Sequence, residues 1–575
     1  MAYDLLIKNA TVIDGSGGPR YIADVGVSQG RIAEIGRINE NAGEVIDADG
    51  LVLSPGFIDG HTHMDAQVAW DPMGSCSCWH GVTTAIMGNC GFALAPCPPS
   101  EREWFAQCLE AVEDIPVDAM MNGIDWTWET FPEYLDHVAR LPKGINYGAY
   151  LGHSALRMYS MGSRALSEEA NEDDLKRMGD AVEEAIRAGA VGFSTSRANT
   201  HITPDGSPVA SRIGTWGELD YLVSRMADMN AGILQVGPDI SSGDAHRACL
   251  SELERIAIES GRPVMFGTLS TKQGDSPMPY QEQLDVLDAA AAKGARLIGQ
   301  TTTRSINALF SFESYLPYDA VGAWRDFRKQ PLDVQREQLL NDQALRDQLI
   351  ADEAKMRPRD NVFQGGGAAT TDPRKPDYTN LFPVLGVDWN DPSIAELAER
   401  DNKHPVDVMI DLALEADMKR LFLQPLVNET PDHVRDMLSH PRTLATFSDS
   451  GAHVCQEMGA SLQTLLFSYW VRLREAFTLE QAVRMVTFDN ARAWDLHDRG
   501  LIQTGLAADL VLFDPDEIKP ALPSVQTDLP GGARRLVQKA EGIHATIVNG
   551  VVTLRHCEPT GDHPGVLLRG RAASV

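Results

Sequence analysis

Eight short apolar runs, each followed by a longer mixed stretch, limit most strongly what this chain can fold into. They are Leu53 to Asp59, Thr83 to Met87, Asn146 to Leu151, Ala190 to Ser194, Gly232 to Val236, Pro263 to Thr268, Arg296 to Gln300 and Thr443 to Ser448. Runs of this length bounded by turn residues read as strands buried on both faces. Asn171 to Ala188 and Gly243 to Ser260 repeat apolar residues at steps of three and four among charges, so they read as helices with one buried face. Strands alternating with helices predict an α/β chain with a parallel sheet, and eight of them match a (β/α)8 TIM-like barrel. The gap between the seventh and eighth runs is far too long for one βα unit. It predicts an inserted, largely helical segment at about 305–440, whose charged stretch Arg325 to Met356 reads as a solvated face and whose position at the barrel mouth would suit a lid.

The two ends of the chain follow a different pattern. Tyr3 to Gly15, Ile22 to Val27 and Arg31 to Ile35 are short strands with glycine-bearing turns, and Ala508 to Asp514 and His544 to Val552 answer them at the far end. The 575 residues, 43% of them hydrophobic, can bury a large core. The chain has no apolar run of membrane-spanning length and no basic-plus-apolar amino terminus, so a soluble, cytoplasmic protein without a signal peptide is expected. Eight cysteines in such a length give no disulfide pattern and agree with a reducing compartment. A formal net charge of −31 argues against nucleic acid and anionic membranes as partners, because phosphates are held by clustered Lys and Arg. A small-molecule substrate is expected, and a homo-oligomer is left open.

The chemistry starts at Pro55-Gly56-Phe57-Ile58-Asp59-Gly60-His61-Thr62-His63. Alternate side chains of an extended segment share a face, so His61 and His63 can approach one metal ion together. This run resembles the signature at the end of the first barrel strand in the amidohydrolase superfamily. The terminal stretches resemble that superfamily's end segments, which form a small β-sandwich. The resemblance therefore implies a sandwich built from 1–55 and 500–575 beside a metal-dependent barrel over 56–499.

Further along, Gly88-Asn89-Cys90-Gly91 resembles the N-acyl-D-amino-acid deacylase (D-aminoacylase) branch, where that cysteine binds zinc. Leu151 to Arg157 and Trp126-Thr127-Trp128 look like the same branch. His153 could polarise a carbonyl, and the Arg157 guanidinium could pair with a substrate carboxylate. In the superfamily an aspartate after the eighth strand touches the metal and takes a proton from the attacking water, which implies that role for Asp449. His453 is then a neighbouring or substrate contact. Arg197 and Arg304, each just after a strand, are further candidates for a carboxylate.

Two departures from the branch stand out. Its fifth and sixth strands end in histidines, whereas the corresponding stretches here are Leu234 to Asp239 and Met265 to Ser270. His61, His63, Cys90 and Asp449 remain, enough for one divalent ion per chain, expected to be zinc. The leading expectation is a hydrolase that opens an amide or other C–N bond of a small N-acyl amino acid or related acyl compound. A metal-dependent lyase or decarboxylase, or a binding protein that lost its chemistry, are the alternatives on such a scaffold.

Overall fold

The computed structural model describes residues 3–272, 278–358, 374–386, 391–454 and 459–570. Its centre is a curled parallel sheet of eight strands: Phe57–Asp59, Val82–Met87, Asn146–Gly152, Gly192–Ser196, Ile233–Gly237, Val264–Phe266, Leu297–Thr301 and Thr443–Ala445. Each strand pairs with the next in chain order. Beyond local irregularities the first and last strands continue as His61–Thr62 and Phe447–Ser450, which pair with each other in parallel and bring the two edges of the sheet together. Helices Glu172–Ala188 and Gly243–Ser260 lie between strands as the periodicity predicted. Asn171 and Asp174 form a capping box on the first, Ser242 caps the second, and Gly189 and Gly261 end them in left-handed conformation.

The first apolar run divides differently from its sequence reading. Val52–Pro55 pairs with Tyr3–Val12 and Leu510–Phe513 in a separate sheet, and only Phe57–Asp59 enters the central one. The Pro55-Gly56 step makes the break, since proline has no N–H to continue the ladder, while the Gly56 N–H turns to the carbonyl of Asp509. That second sheet has nine strands, drawn from Tyr3–Val12 through Val52–Pro55 and from Leu510–Phe513 through Glu558–Pro559. Leu5, Val25, Leu510 and Ile547 are among the residues of its own apolar core. The final described residues leave it and run along the third central strand, where Leu568 N–H donates to the Tyr147 carbonyl.

Residues between the seventh and eighth strands form a further body with its own core, in which Trp324, Tyr318, Leu349 and Phe422 are buried. The charged stretch is helical at Gly322–Phe327, Leu332–Asn341 and Gln343–Glu353, while 359–373 and 387–390 lie outside the described residues. Sequence reading missed a three-stranded antiparallel sheet here, Ile306–Phe310, Phe422–Val427 and Phe382–Pro383. Pro425 and Pro383 hide those strands, because a proline within an apolar run argues against a strand. Among the described residues no helix is long and apolar enough to cross a membrane, and the seven described cysteines are all free and buried.

A buried ion pair, with Asn146 beside it, joins the terminal sheet to the central one. Arg499 Nη1 contacts Asp509 Oδ2, which also accepts from Asn146 Nδ2 at 3.0 Å, while Asp509 Oδ1 accepts the Asn549 N–H at 2.7 Å. Burial raises the Asp509 carboxyl above its usual range despite Arg499. Asp509→Ala leaves the buried Arg499 with only the part-exposed Asp498, 3.2 Å from its Nε, as counter-charge and should cost about 3 kcal/mol. Urea denaturation should show that drop, and a loss below about 1 kcal/mol would mean the pair is not a tie between the two sheets.

Candidate metal centre

The first and last strands deliver the site. Pairing of His61–Thr62 with Phe447–Ser450, extended by the His63 N–H donating to the Ser450 carbonyl at 2.8 Å, sets both histidines beside Asp449. Asp449 Oδ1 lies 3.1 Å from His63 Nε2 and 3.6 Å from His61 Nε2. His61 Nδ1 is 3.0 Å from Gln300 Oε1, so the glutamine fixes the ring with Nε2 turned to the site. Cys90, in the turn after the second strand, brings Sγ to 3.5 Å from His61 Nε2, and its N–H donates to Gln235 Oε1 at 2.7 Å. Cys90 (φ 55°), Asp449 (φ 57°) and His453 (φ 48°) all adopt the left-handed region. Each such residue carries about 1 kcal/mol or more of strain that the surroundings must hold.

The donor set fits a divalent ion. His61, His63 and Cys90 are buried and place ligand atoms within 4.8 Å of one another. Two imidazoles, a thiol and an adjacent carboxylate are the N, S and O donors of zinc-type sites. Burial lowers His61 to about 4, leaving the neutral ring a ligand requires. Burial also pushes the Cys90 thiol up to about 11, so a bound cation is what would stabilise the thiolate. Burial works against charge on Asp449 too, but the neighbouring His63 and His61 hold its carboxyl well below the usual range.

A cavity of about 110 Å³ opens over these groups, with His201, His453, Glu113, Ile306 and Val427 also on its wall. Glu113 was not identified from the sequence. It ends the helix Arg102–Glu113, is 2% exposed, and sets Oε1 3.5 Å from His63 Nδ1 and Oε2 3.7 Å from His453 Nε2. Its carbonyl accepts the His453 N–H, and His453 Nε2 is 4.0 Å from Asp449. His201, held by Ser196 Oγ at 2.7 Å, was missed as well, because a histidine five residues past a strand carries no motif.

The geometry gathers His61, His63, Cys90, Asp449 and His453, but the four other candidates, His153, Arg157, Arg197 and Arg304, stand away from the cavity wall. Both ring nitrogens of His153 are engaged, by Thr195 Oγ1 and Glu218 Oε1 at 2.8 Å each, and Arg157 pairs with Glu218 Oε2. Arg197 stacks on Trp216 at 4.5 Å and donates to the Gly214 carbonyl. The helix Trp216–Asp228 supplies Glu218, which no pattern near His153 announced. Arg304 donates to Ser461 Oγ at 2.9 Å and lines a recess that Asp449 also borders. At the two strands that lack the branch's histidines, Gly237 and Gly267 line the cavity. A Cβ at Gly267 would come within 2.6 Å of the Phe447 ring and 2.7 Å of Gln300 Oε1. Phe447 stacks on His61 with centroids 3.8 Å apart, so that space is already filled.

The amidohydrolase pattern matches residues 44–554, and the chain belongs to the amidohydrolase family. It is a hydrolase of carbon–nitrogen bonds other than peptide bonds, resembling D-aminoacylase. The D-aminoacylase of Alcaligenes xylosoxydans xylosoxydans is 28% identical over 583 residues, covering 99% of this chain and 98% of that one. The N-acyl-D-aspartate deacylase of the same organism is 28% identical over 549 residues, covering 95% of this chain and 91% of that one. Among solved structures, an N-acyl-D-glutamate deacylase from Bordetella bronchiseptica, complexed with zinc and a phosphonate inhibitor, superposes with a TM-score of 0.66 at 22% identity, covering 99% of this chain and 100% of that one. This last likeness shows the fold.

Two predictions follow from the geometry. Glu113→Gln removes the carboxylate charge beside His63 and should weaken metal affinity by roughly 10- to 100-fold, measured by chelator competition. Unchanged affinity would mean that Glu113 does not support the ligand. Elsewhere, burial opposes ionisation of Glu218, yet His153 and Arg157 hold its carboxyl down at about 2. Its stabilisation is therefore present above the ordinary glutamate range and lost as pH falls through about 2. Glu218→Gln should be several kcal/mol less stable than the parent at neutral pH, with the gap closing between about pH 4.5 and pH 2 in denaturation curves.

Proposed function

We propose that this chain is a metal-dependent deacylase that hydrolyses the amide bond of a small N-acyl amino acid or related acyl compound. Its TIM-like barrel would hold one divalent ion, zinc, through His61, His63 and Cys90, with Asp449 at the edge of the set. The observation that carries this reading is the Asp449 carboxylate at 3.1 and 3.6 Å from the two imidazoles, bordering an open cavity. One ion is expected because the space beside Gly267 is taken by Phe447 and Gln300. The relatives' names support the substrate class, and the zinc complex of the Bordetella deacylase supports a divalent metal.

When bound, the ion supplies Lewis-acid polarisation and lowers the pKa of water nearby. Asp449, ionised in this setting, takes a proton from the attacking water and returns it to the departing nitrogen. The water oxygen stays on the acyl carbon, the C–N bond breaks, and an acid and an amine leave. Gln300 orients the His61 ring by a hydrogen bond, and Glu113 sets a negative charge 3.5 Å from His63 Nδ1. Phe447 covers His61 and keeps that side dry. Arg304, beside the same recess as Asp449, binds the substrate carboxylate.

Asp449→Asn keeps the size and removes the base. Turnover of N-acyl amino acids in the metal-loaded enzyme should fall about a hundredfold or more while circular dichroism stays unchanged. Hydrolysis in oxygen-18 water should place one labelled oxygen in the released acid. Full activity of the variant would remove the mechanism, and two tightly held ions per chain by elemental analysis would overturn the single-ion site.

A further inference from the structure

We propose that the terminal sheet carries a metal site of its own, in which Asp514, Glu517, His544 and His556 hold one divalent ion of the zinc type. Ligand atoms of Asp514, Glu517 and His544 lie within 4.8 Å of one another, and the His556 ring centroid is 4.8 Å from that of His544. Two imidazoles with two carboxylates make an N and O donor set suited to four-coordinate zinc. Donors about 2.1 Å from such an ion stand about 3.4 Å apart in a tetrahedron. Rotation of the exposed Glu517 and His556 side chains closes the set to that spacing.

Three neighbouring strands place the histidines. Ile543–Val548 lies between Leu510–Phe513 and Val551–Arg555. Toward the first the register slips, Leu512 pairing with Ala545 but Phe513 with Ile543, so His544 is the extra residue. A bulge of this kind re-aims the side chain it carries. Toward the second, Ala545 pairs with Arg555 and the His556 N–H donates to the His544 carbonyl at 3.0 Å, which sets the two histidines opposite each other. His556 and Cys557 (φ 48° and 62°) form the two-residue turn into Glu558–Pro559. Such turns favour Asn-Gly, so a histidine stands there against the local preference.

The carboxylates come from the chain just after Phe513. The Asp514 N–H donates to the Gly542 carbonyl at 2.8 Å. Asp514 Oδ1 accepts the N–H groups of Asp516 and Glu517 at 2.8 and 3.3 Å, which leaves Oδ2 for an ion. A Cβ on Gly542 (φ 76°) would come within 2.4 Å of the Ile518 nitrogen, so glycine is what lets this turn lie against the sheet and bring Glu517 toward His544. Arg472 holds the turn through the carbonyls of Pro515 and Ile518, at 3.1 Å each. Among the described residues neither acid has a lysine or arginine partner, and the His544 ring makes no hydrogen bond. Burial, and then the His556 ring, keep His544 below the ordinary imidazole range against the pull of Asp514 and Glu517, which favours the neutral form a ligand needs. All four side chains are partly or fully exposed, so this ion exchanges with solvent and is lost on dialysis, unlike one held by the buried donors of the barrel.

The test titrates zinc into the full chain against a colorimetric chelator, with His544→Ala, His556→Ala and Glu517→Gln beside the parent. The parent should take up one equivalent that dialysis removes, and its thermal unfolding midpoint should rise as that equivalent binds. Each variant should weaken this equivalent by about tenfold or more, since losing a ligand costs at least as much as losing a group that supports one, and the midpoint should no longer respond. Any ion that survives dialysis should be held within about twofold of its parent affinity in all three variants. His556 and Glu517 are exposed, so their variants carry the test if His544→Ala fails to fold by circular dichroism. No dialysable equivalent in the parent, or one held equally well by the variants, would overturn the site. Either result leaves the deacylase reading standing, because none of these four residues serves it.

Discussion

The short parallel ladder between His61–Thr62 and Phe447–Ser450 is the contact on which the rest of the site depends. It is reinforced from both sides. The Gly60 N–H donates to Thr446 Oγ1 at 2.5 Å, and Asn490 Nδ2 reaches the carbonyls of Ile58 and Ala445 at 2.7 and 3.2 Å. Nearly four hundred residues separate the partners in sequence, so loop-closure entropy opposes the contact until the intervening strands have assembled. Joining the sheet edges and assembling the donor set are therefore one event: if the ladder slips by one residue, the side chains change faces and Asp449 leaves the histidines.

The ladder also explains why the groups around the donors come from such different places. The strand ends fix His61, His63 and Asp449, whereas Cys90 and Glu113 arrive on the chain that follows the second strand. Glu113 at the end of its helix and Asp449 at the end of its strand approach opposite nitrogens of His63. His453 then spans the two carboxylates from the loop after the eighth strand, with its own N–H fixed to the Glu113 carbonyl. Carboxylates on both sides of a histidine raise its proton affinity, which a strand end alone does not do.

The elements that could be read from the sequence are those in which a local pattern and the tertiary environment agree. Each of the eight apolar runs contributes a central strand, and the Asn171–Ala188 and Gly243–Ser260 helices carry both caps and stripe in their own residues. His61, His63, Cys90 and Asp449 were accessible because they sit at strand ends inside distinctive motifs. Glu113 was not, since a glutamate at the end of an amphipathic helix reads as an ordinary surface residue until the loop folds it against the strand ends of the central sheet. His153 and Arg157 show the opposite arrangement. Their position after the third strand suits a site, but Glu218, sixty-odd residues on, takes both side chains into a buried network. The Phe422–Val427 strand stayed hidden because Pro425 contradicts the local rule while sheet pairing across Asn307 overrides it.

Electrostatics adds a reason for a cation that does not depend on ligand geometry. Asp59, Asp65, Glu113 and Asp449 converge around two imidazoles, with burial pushing Asp59 and Asp65 up to about 7 and raising Glu113. Asp449 contributes to the rise at Asp59, and Glu113 to that at Asp65, so the carboxylates repel one another through a poorly screened interior. No lysine or arginine is among the described residues lining the cavity over the donors; Arg304 borders the adjoining recess and a further pocket beside it. Against the pull of burial, Glu113 and Asp449 raise His63 well above the usual range, so its proton offsets part of this repulsion; a divalent ion would take over that role and leave the Asp449 carboxylate charged. The burial that makes these groups poor neighbours for one another suits them to a doubly charged ion, which ties the electrostatics of the site to the folding of the strand ends that carry it.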